Sequence, residues 1–312
     1  MAPAWIGEEQ VRAALPMPAL IDLMSETLAA FSAGQVEQPV RTVIEAAPNA
    51  FFACMPALIK TGPAMGAKLV TVFGSNAARG LPTHLATILL LDPETGAVAA
   101  VMDGRYITEA RTAAVSAVST RLLAREDASV LALIGSGVQA RSHLEALKLV
   151  RRFREIRCWS PTRAHLERFV SEYPEVRAAV SAREAVEGAE VIALLTASTT
   201  PVIQNEWLRD GAHVIAVGAC RPTHREMDPR LVARGRLFVD SRAAAMKEAG
   251  DVLMAIEEGY FTAEHIAGEL GAVISHSCKG RTSSSEITVF KSLGLAVEDV
   301  AAAQHVYCLL AG

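Results

Sequence analysis

The chain has 312 residues, of which 51% are hydrophobic and 21% charged, and its formal net charge at pH 7 is −4. This composition is typical of a globular protein of about two domains and argues against a disordered chain. The negative charge argues against nucleic acid or an anionic membrane as the main partner. No apolar run reaches the ~18 residues of a membrane-spanning helix, and the start MAPAWIGEEQ lacks the basic and apolar regions of a secretory signal.

The five cysteines are scattered without C-x-x-C spacing, and the histidines form no H-x-x-x-H or H-E-x-x-H pattern. We therefore expect neither a disulfide framework nor a zinc site, and we predict no bound metal. A reducing, cytoplasmic location is the natural expectation for such cysteine usage.

The first third of the chain is predicted to contain a long helix followed by β-strands. A helix is expected from about Met17 to Ala33, with Gly34 closing it, because glycine readily adopts the left-handed conformation found after helix ends. Runs of β-forming residues then predict strands over 41–46, 50–57, 67–73, 86–92 and 97–103. The last two flank Pro-Glu-Thr-Gly, which predicts a hairpin turn. A helix of small and apolar residues is expected over 108–123.

From Ser129 onward, short apolar strands alternate with helical segments. Strands are predicted at 130–134, 156–160, 191–196, 213–218 and 237–240, with helices at 138–150 and 163–173 among the connections. Such alternation predicts a parallel, doubly wound sheet with right-handed crossovers. The tail, 287–310, predicts a strand or turn and then a long helix. We expect that helix to pack back onto the first domain, which would make that domain discontinuous.

A glycine-rich turn follows the strand at 130–134. The string Gly135-Ser136-Gly137-Val138-Gln139-Ala140 has the spacing G-x-G-x-x-A and leads directly into a predicted helix. The first glycine permits a tight turn, the second lets the backbone approach a pyrophosphate, and the alanine allows close helix–strand packing. The helix N-terminus then offers N–H groups to the phosphates. Because strand, turn and helix occur in the required order, the string predicts a dinucleotide site.

The end of the next strand decides which dinucleotide is expected. NAD-dependent enzymes usually carry an acid there for the ribose 2′-OH, whereas this chain has Cys158-Trp159-Ser160-Pro161-Thr162-Arg163. Ser160, Thr162 and Arg163 offer two hydroxyls and a guanidinium suited to a 2′-phosphate. We therefore predict NADPH as the preferred cofactor, with NADH possible. The structural alternative is that Thr162 caps a helix and Arg163 is solvated.

Three basic residues in the first half are candidates for binding an anionic substrate. Arg41 follows Gln-Pro-Val, Lys68 lies inside the apolar string MGAKLVTVF, and Arg111 opens a helix of small residues. A lysine flanked by buried strand residues is costly unless it is paired or functional. An outward-facing strand position for Lys68, and a solvated surface position for the arginines, are the alternatives.

The strings QPVRTV, AKLVT, VMDGRYITEARTAAVSA, GSGVQA, AVGACRP, KEAGDV and TVFKSLGLAVED together resemble the ornithine cyclodeaminase/mu-crystallin family. The resemblance covers nearly the whole chain in collinear order and is greatest to the mu-crystallin branch, the ketimine reductases. It implies an α/β homodimer. In each subunit a Rossmann NAD(P)-binding domain, 119–290, would join a discontinuous α+β substrate-binding and dimerisation domain, 1–118 and 291–312.

The resemblance also implies site residues. It assigns carboxylate binding and catalysis to Arg41, Lys68 and Arg111, with Met55 from the adjoining Met-Pro pair among the substrate contacts, and it places a nicotinamide-side loop at Phe290–Gly294. His84 is a second candidate for substrate contact, or a histidine satisfied within a turn. Asp251, Glu298 and Asp299 are expected to position loops or cap helices. The expected cofactor contacts are Thr112, Gly135, Ser136, Gly137, Val138, Gln139, Ser160, Thr162, Arg163, Thr196, Val217, Ser292, Leu293 and Gly294.

One departure from the family bears on the reaction. Cyclodeaminases carry an aspartate where this chain has Cys220, in Gly-Ala-Cys-Arg-Pro. A thiol cannot hold an ammonium or move its proton as a carboxylate does, so loss of ammonia is disfavoured and reduction is favoured. Alanine dehydrogenases of the family usually keep the aspartate as well.

The expected activity is therefore NAD(P)H-dependent reduction of a small cyclic ketimine with an α-carboxylate, such as Δ1-piperideine-2-carboxylate or Δ1-pyrroline-2-carboxylate. The proton on the imine nitrogen would come from Lys68 or be carried by a pre-protonated iminium, and the sequence leaves both open. The resemblance also leaves open an ornithine cyclodeaminase, an alanine dehydrogenase-type enzyme, and an NADPH-dependent binding protein for a thyroid-hormone-like carboxylate.

Overall fold

The computed structural model describes residues 2–311, and the chain divides into two compact units. The first unit is the chain up to Thr112 together with the segment from Gly294 onward, and the second is Ala113–Leu293. The predicted domain boundaries at 118/119 and 290/291 differ from this division into units by six and three residues. The first is displaced because both positions fall within one uninterrupted helix, Arg105–Leu123, which contains no glycine or proline to mark a border.

The secondary-structure elements are numbered in chain order. The helices are α1 (Glu8–Ala14), α2 (Met17–Ser32), α3 (Arg105–Leu123), α4 (Val138–Val150), α5 (Arg163–Glu172), α6 (Ala182–Val186), α7 (Pro229–Arg234), α8 (Arg242–Glu248), α9 (Gly250–Glu257), α10 (Leu270–Ile274) and α11 (Ala296–Ala311). The strands are β1 (Ala4–Ile6), β2 (Val36–Glu37), β3 (Thr42–Ala47), β4 (Ala50–Ile59), β5 (Ala64–Phe73), β6 (His84–Leu91), β7 (Val98–Asp103), β8 (Val130–Ile134), β9 (Glu155–Trp159), β10 (Val176–Ala178), β11 (Val191–Leu194), β12 (His213–Ala216), β13 (Arg236–Val239), β14 (Ile266–Glu269) and β15 (Thr288–Lys291).

The first unit is built on a seven-stranded sheet. Its order is β1-β7-β6-β5-β4-β2, with β3 also paired to β4. The strands from β2 to β7 pair antiparallel, and β1 runs parallel to β7. The five strands and the β6–β7 hairpin expected from the sequence are confirmed. The very short β1 and β2 give too few residues for a recognisable pattern and were not predicted.

One face of this sheet is covered by the C-terminal helix. α11 packs against α2 and against β4, β5 and β6, which confirms that the tail returns to the first part of the chain. Alternate residues of β5 from Ala64 to Val70 are buried, as expected for a strand with one covered face. Lys68 belongs to this buried set, so its alternative position, facing outward, is excluded.

The second unit is a parallel α/β domain. Its eight strands lie in the order β10-β9-β8-β11-β12-β15-β13-β14, and all neighbours are parallel. The chain moves from β8 to one side through β9 and β10, then returns to the other side of β8 with β11. Because ligands of open α/β sheets bind beyond the carboxyl ends of the strands at such a reversal, the crevice at β8 and β11 is the expected cofactor position. The predicted Rossmann fold is confirmed.

The remaining observations concern membrane-spanning helices, metal sites and cysteines. Within residues 2–311 no single helix is long and apolar enough to cross a membrane, and α1 with α2 meets that test only as a pair bent by 82°. No group of three or more histidine, cysteine, aspartate or glutamate side chains in the described chain lies together as a metal site. The five cysteines are free thiols.

Candidate active site

A buried cluster of charged side chains lies in the first unit, where α11 covers the sheet. The Lys68 Nζ on β5 is 2.6 Å from the Asp299 Oδ2 on α11, and the two side chains are 2% and 0% exposed. The same ammonium lies 3.5 Å from the Thr108 Oγ1 on α3. Three elements therefore converge on one buried lysine, which water does not solvate and which depends on its carboxylate partner.

Arg111 completes this cluster from α3. Its Nε donates to the Asp299 Oδ1 at 3.0 Å, and its NH1 donates to the Glu298 Oε2 at 2.6 Å. Asp299 thus bridges Lys68 and Arg111 with its two oxygens. From the sequence, Glu298 and Asp299 on α11 are expected only to position loops or cap the helix. In the structure both carboxylates are also counter-ions of the predicted substrate-binding residues.

Gly294 joins the second arginine to the cluster. The half-buried Arg41 donates from NH2 to the Gly294 carbonyl at 3.2 Å. Gly294 has φ +79°, and a Cβ there would lie 2.4 Å from the Arg111 NH1. A residue without a side chain is therefore needed for Arg111 to lie against this turn. Gly294 was predicted as a cofactor contact, and in the first unit it lies against both arginines.

The remaining predicted substrate contacts lie around the lysine. Met55 on β4 is directly opposite Lys68 in the antiparallel register and is buried, so it is an apolar cross-strand neighbour of the lysine. His84 is half-buried at the start of β6. Thr112 is buried one turn after Thr108 on α3, and its hydroxyl donates to the Thr108 carbonyl at 2.6 Å. The structure thus brings Arg41, Met55, Lys68, His84 and Arg111 to one region.

The burial of these charges changes their proton affinities. Burial lowers the pKa of Lys68 to about 8; the nearby Asp299 opposes this change, and Arg111 adds to it. Burial alone would raise the pKa of Asp299, but Arg111 and Lys68 hold it below its ordinary value. Burial lowers the pKa of His84 to about 4, and the positive charges of Lys68 and Arg111 lower it further. At neutral pH His84 is therefore uncharged, and Lys68 is protonated but able to give up its proton.

The second unit presents the glycine-rich turn between β8 and α4. Gly135 has φ +119°, and a Cβ there would lie 2.7 Å from the Leu195 carbonyl oxygen, so the turn requires glycine. At Gly137 a Cβ would meet nothing within 4 Å, which leaves open space beside the backbone. No side chain caps α4 at this residue. Arg141 donates to the carbonyls of Ser136 and Gly137 at 3.2 and 3.1 Å and so holds the turn.

This turn fits a dinucleotide pyrophosphate. The Ser136 Oγ and the Gln139 Oε1 are buried and have no hydrogen-bond partner within residues 2–311. Buried polar atoms of folded proteins are nearly always satisfied, so these two imply a missing partner. The Ser136 hydroxyl can donate to a phosphate oxygen, and with the open side of Gly137 and the N–H groups at the start of α4 it forms a cradle for an anion. The Gln139 oxygen only accepts, so it suits a donor group of the ligand rather than its phosphates.

The end of β9 lacks an acidic residue. Ser160 is half-buried, and Thr162 occupies the N-cap position of α5 without a side-chain capping bond. Arg163 is 89% exposed and its Nε lies 2.7 Å from the Glu167 Oε1. Arg163 is thus solvated and paired with Glu167 in the structure, and the Thr162 hydroxyl does not cap the helix.

The other predicted cofactor residues follow adjacent parallel strands. Thr196 comes after β11, Val217 follows β12 directly, and Ser292 and Leu293 follow β15. The buried Asp240, after β13, accepts hydrogen bonds on its Oδ2 from the Ser292 Oγ at 3.2 Å and the Leu293 N at 2.5 Å. These loops all lie at the carboxyl edge of the parallel sheet, and Asp240 joins those after β13 and β15.

Several site residues have no local signal in the sequence. Arg141, Glu226 and Asp240 hold loops through hydrogen bonds to backbone groups, and Asp299 pairs with an arginine 188 positions earlier in the chain. Without the fold, nothing identified which backbone groups or cations each of them would meet.

Comparisons with known proteins agree with this geometry. The sequence profile of the ornithine cyclodeaminase/mu-crystallin family matches residues 4–311. The ketimine reductase mu-crystallin of Mus musculus is 44% identical over 312 residues, covering 98% of this chain and 97% of the mouse protein. The structure of Thermococcus litoralis Δ1-pyrroline-2-carboxylate reductase in complex with NADH and L-proline is 34% identical. Its TM-score is 0.95, and the match covers 97% of this chain and 96% of that one.

An archaeal alanine dehydrogenase dimer with bound NAD is 32% identical with a TM-score of 0.93, covering 98% of this chain and 95% of that one. Two of these three relatives are named as reductases, one of ketimines and one of Δ1-pyrroline-2-carboxylate, and the two solved structures hold NADH or NAD. The match of the profile over almost the entire chain, together with the level of identity, shows that this protein belongs to the ornithine cyclodeaminase/mu-crystallin family.

Proposed function

We propose that this protein reduces small cyclic ketimines bearing an α-carboxylate, with NADPH as the preferred reductant. The observation that carries the proposal is the buried Lys68–Asp299–Arg111 cluster, which sets a proton donor beside cations that can bind a carboxylate. Δ1-Piperideine-2-carboxylate would give pipecolate, and Δ1-pyrroline-2-carboxylate would give proline. The mouse and Thermococcus relatives, a ketimine reductase and a pyrroline-carboxylate reductase, support this choice.

The charges of the cluster suit a substrate with one carboxylate. Arg41, Lys68 and Arg111 contribute three positive charges, and Glu298 and Asp299 contribute two negative ones, which leaves an excess of one. A single carboxylate neutralises that excess. The planar guanidinium of Arg41, which is half-buried and near the cluster, is suited to a forked contact with the carboxylate.

The proton for the imine nitrogen is assigned to Lys68. In the overall change a hydride adds to the imine carbon and a proton adds to the nitrogen, so C=N becomes CH–NH. Burial of Lys68 brings its pKa to about 8, close to the pH at which a general acid is both protonated and able to donate. Asp299 holds the ammonium in position at 2.6 Å, while the buried Met55 excludes water on the opposite strand.

The hydride would be supplied by the reduced nicotinamide when the cofactor is bound. Gly137, Ser136 and the start of α4 would hold its pyrophosphate, for the reasons given above. The preference for NADPH is supported by the missing acid at the end of β9, and by Ser160, Thr162 and Arg163 at that position. The structures of relatives that hold NADH or NAD leave NADH as a possible second reductant.

Cys220 argues against the amine chemistry of other family members. It lies in the loop after β12, and its thiol donates to the Val217 carbonyl at 3.1 Å. A thiol engaged in this way cannot replace a carboxylate that binds an ammonium, so cyclodeamination and alanine oxidation are disfavoured. Cys220 thus supports a reductase that starts from a preformed imine.

A homodimer in a reducing compartment is part of the proposal. All six residues of β3 are exposed in the single chain, including Val43 at 49% and Ile44 at 56%, and an exposed apolar strand favours association. The dimeric alanine dehydrogenase supports the same assembly. Free thiols at all five cysteines fit a cytoplasmic location.

The test is a cofactor-oxidation assay with Δ1-piperideine-2-carboxylate, run separately with NADPH and NADH. Lys68→Ala is compared with Lys60→Ala, an exposed lysine of the same unit that pairs only with Glu37 among the described ion pairs. The expected result is rapid NADPH oxidation that Lys68→Ala abolishes and Lys60→Ala preserves. NADPH binding without oxidation of either cofactor would refute the enzymatic proposal and favour a binding protein.

A further inference from the structure

A second buried charged cluster lies in the other unit, and the proposed reaction does not use it. Glu226, Asp251 and Lys291 are 0%, 1% and 0% exposed. The Lys291 Nζ at the end of β15 is 3.1 Å from the Asp251 Oδ2 at the start of α9. The other oxygen of Asp251 accepts from the backbone N–H groups of Glu226 and Met227 at 2.8 and 2.9 Å. Asp251 therefore fixes the backbone on which Glu226 stands.

The Glu226 carboxylate ties together two loops of the carboxyl edge. One oxygen accepts from the N and the Oγ1 of Thr196, both at 2.7 Å. The other accepts from the N–H groups of Gly218 and Ala219 at 2.8 and 3.0 Å. Thr196 follows β11, and the glycine and alanine follow β12. Four hydrogen bonds from two loops thus end on one buried anion.

The two loops also touch through their backbones. A Cβ at Gly218 would lie 1.8 Å from the Thr196 carbonyl oxygen, so no larger residue fits between them. Because the two backbones are this close, a single group can bind both loops and fix the distance between them. That group is Glu226, since its oxygens occupy the N–H donors of each loop.

The place of these loops in the sheet identifies the ligand part they serve. The glycine-rich turn after β8 and the residues after β9 receive the pyrophosphate and the adenosine half of a dinucleotide. β11 and β12 lie on the other side of the reversal, so the loops after them receive the nicotinamide half. We infer that Glu226 is a positioning residue for the nicotinamide half of the cofactor site, acting through Thr196, Gly218 and Ala219.

This inference rests on the proposed function only in requiring that the second unit binds a nicotinamide dinucleotide. Glu226→Gln keeps the size of the side chain but replaces one acceptor oxygen with an NH2 group. The N–H donors of one loop then face another donor, and a buried donor without an acceptor is unfavourable. The loop is expected to move away, whereas the glycine-rich turn, bound by Arg141, keeps its position.

The experiment compares the dissociation constants of NADPH and of adenosine 2′,5′-bisphosphate, which lacks the nicotinamide half, by calorimetry. Glu190→Gln is the matched control. Glu190 is also buried and accepts from the backbone N–H groups of Ser129 and Val130 at 2.7 and 3.2 Å, but it precedes β11 and so lies at the opposite edge of the same sheet. Melting temperatures are recorded for both variants, because each loses bonds to a buried carboxylate.

Glu226→Gln is expected to weaken NADPH by at least ~10-fold and the bisphosphate by less than about twofold, while Glu190→Gln leaves the ratio of the two constants unchanged. An equal loss for both ligands, or the same change of ratio in Glu190→Gln, would overturn the inference. If the wild-type protein bound NADPH no more tightly than it bound the bisphosphate, the nicotinamide half would add nothing to binding, and the proposed function itself would fail. Thr196→Val, which removes one of the four bonds, replaces Glu226→Gln should that variant not fold, and a smaller change of ratio in the same direction is then expected.

Discussion

Lys68 and Asp299, 231 positions apart in the chain, form a direct ion pair of 2.6 Å that is shielded from solvent. A buried pair of this kind is not strong evidence for stability, but removal of one partner leaves the other charge without compensation. The predictions for the first unit follow from this relationship.

Asp299→Asn is expected to lower the free energy of unfolding by about 3–5 kcal/mol, because Lys68 and Arg111 both lose a buried counter-ion. Urea titration measures this change. Glu37→Gln is the control, since its 67% exposed side chain pairs with Lys60 at the surface, and no measurable change is expected there. Equal effects of the two substitutions would show that the Asp299 pair is as weakly coupled as a surface pair.

The rate of imine reduction is expected to fall as the pH rises through about 8. The folded-state pKa of Lys68 is about 8, so the donor is protonated below this pH and loses its proton above it. Lys68→Arg keeps the positive charge but does not titrate in this range, so the fall should disappear while the maximal rate drops. The measurement is kcat/KM against pH for both proteins. An unchanged basic limb in Lys68→Arg would mean that a pre-protonated iminium carries its own proton.

Gly294→Ala is expected to raise the KM for the imine by at least ~10-fold, because the new methyl group must displace the Arg111 guanidinium. Gly96→Ala separates this effect from backbone strain. Gly96 has φ +73°, close to the +79° of Gly294, but a Cβ there meets nothing within 4 Å. Both variants should lose similar stability from the left-handed conformation. A normal KM in Gly294→Ala would show that Arg111 can bind substrate from another position.

Arg163→Ala is expected to weaken NADPH about 10-fold and to leave NADH unaffected, since only NADPH carries the 2′-phosphate. The side chain pairs with Glu167 in the structure and must exchange this partner for the phosphate. Arg168→Ala on the same helix is the control for the loss of an exposed positive charge. If both arginine variants shift NADPH binding equally, the preference is a general charge effect.

The second unit is expected to lose stability as the pH falls from about 6.5 towards 4. Burial lowers the pKa of His143 to about 4 and that of His213 to about 3, and both rings are hydrogen-bonded to serine hydroxyls. The unfolded chain, with histidine pKa values of about 6.5, binds more protons in this range, so each residue contributes a slope of up to about 1.4 kcal/mol per pH unit.

His143→Gln should make that slope shallower, because one titrating group is removed, even though the variant is less stable at neutral pH. The measurement is the urea unfolding free energy at several pH values, with the exposed His165→Gln as the control. Parallel pH profiles of wild type and His143→Gln would contradict a neutral buried ring at this position.

The sequence allowed the Rossmann unit to be predicted because its signals are local. The strand, the turn Gly135-Ser136-Gly137 and the helix are adjacent in the chain, and each has a recognisable pattern. Lys68 was recognisable for a similar reason, because a lysine within an apolar strand requires a partner. Its choice as a candidate substrate residue depended on the family resemblance.

The rest depended on contacts between distant segments. Nothing near Asp299 or Glu226 in the chain indicates that the first would meet Lys68 or that the second would meet the loops after β11 and β12. Carboxylates are ordinarily exposed. Asp299 is buried because α11 packs on the sheet, and Glu226 is buried because of the order of the parallel strands. The division of the chain within α3 has no counterpart in the sequence pattern, because a uniform helix has no local mark at the point where one unit ends.

Lys68 and Arg111 lie far from Glu298 and Asp299 in the sequence, and this order has a consequence for synthesis of the chain. Both cations precede the second unit in the chain, whereas Glu298 and Asp299 follow it. The second unit, Ala113–Leu293, is continuous and is complete before those residues are made. Domains fold as units during translation, so the nucleotide-binding unit can fold first. The first unit must keep two uncompensated cations solvated until α11 emerges and closes over them.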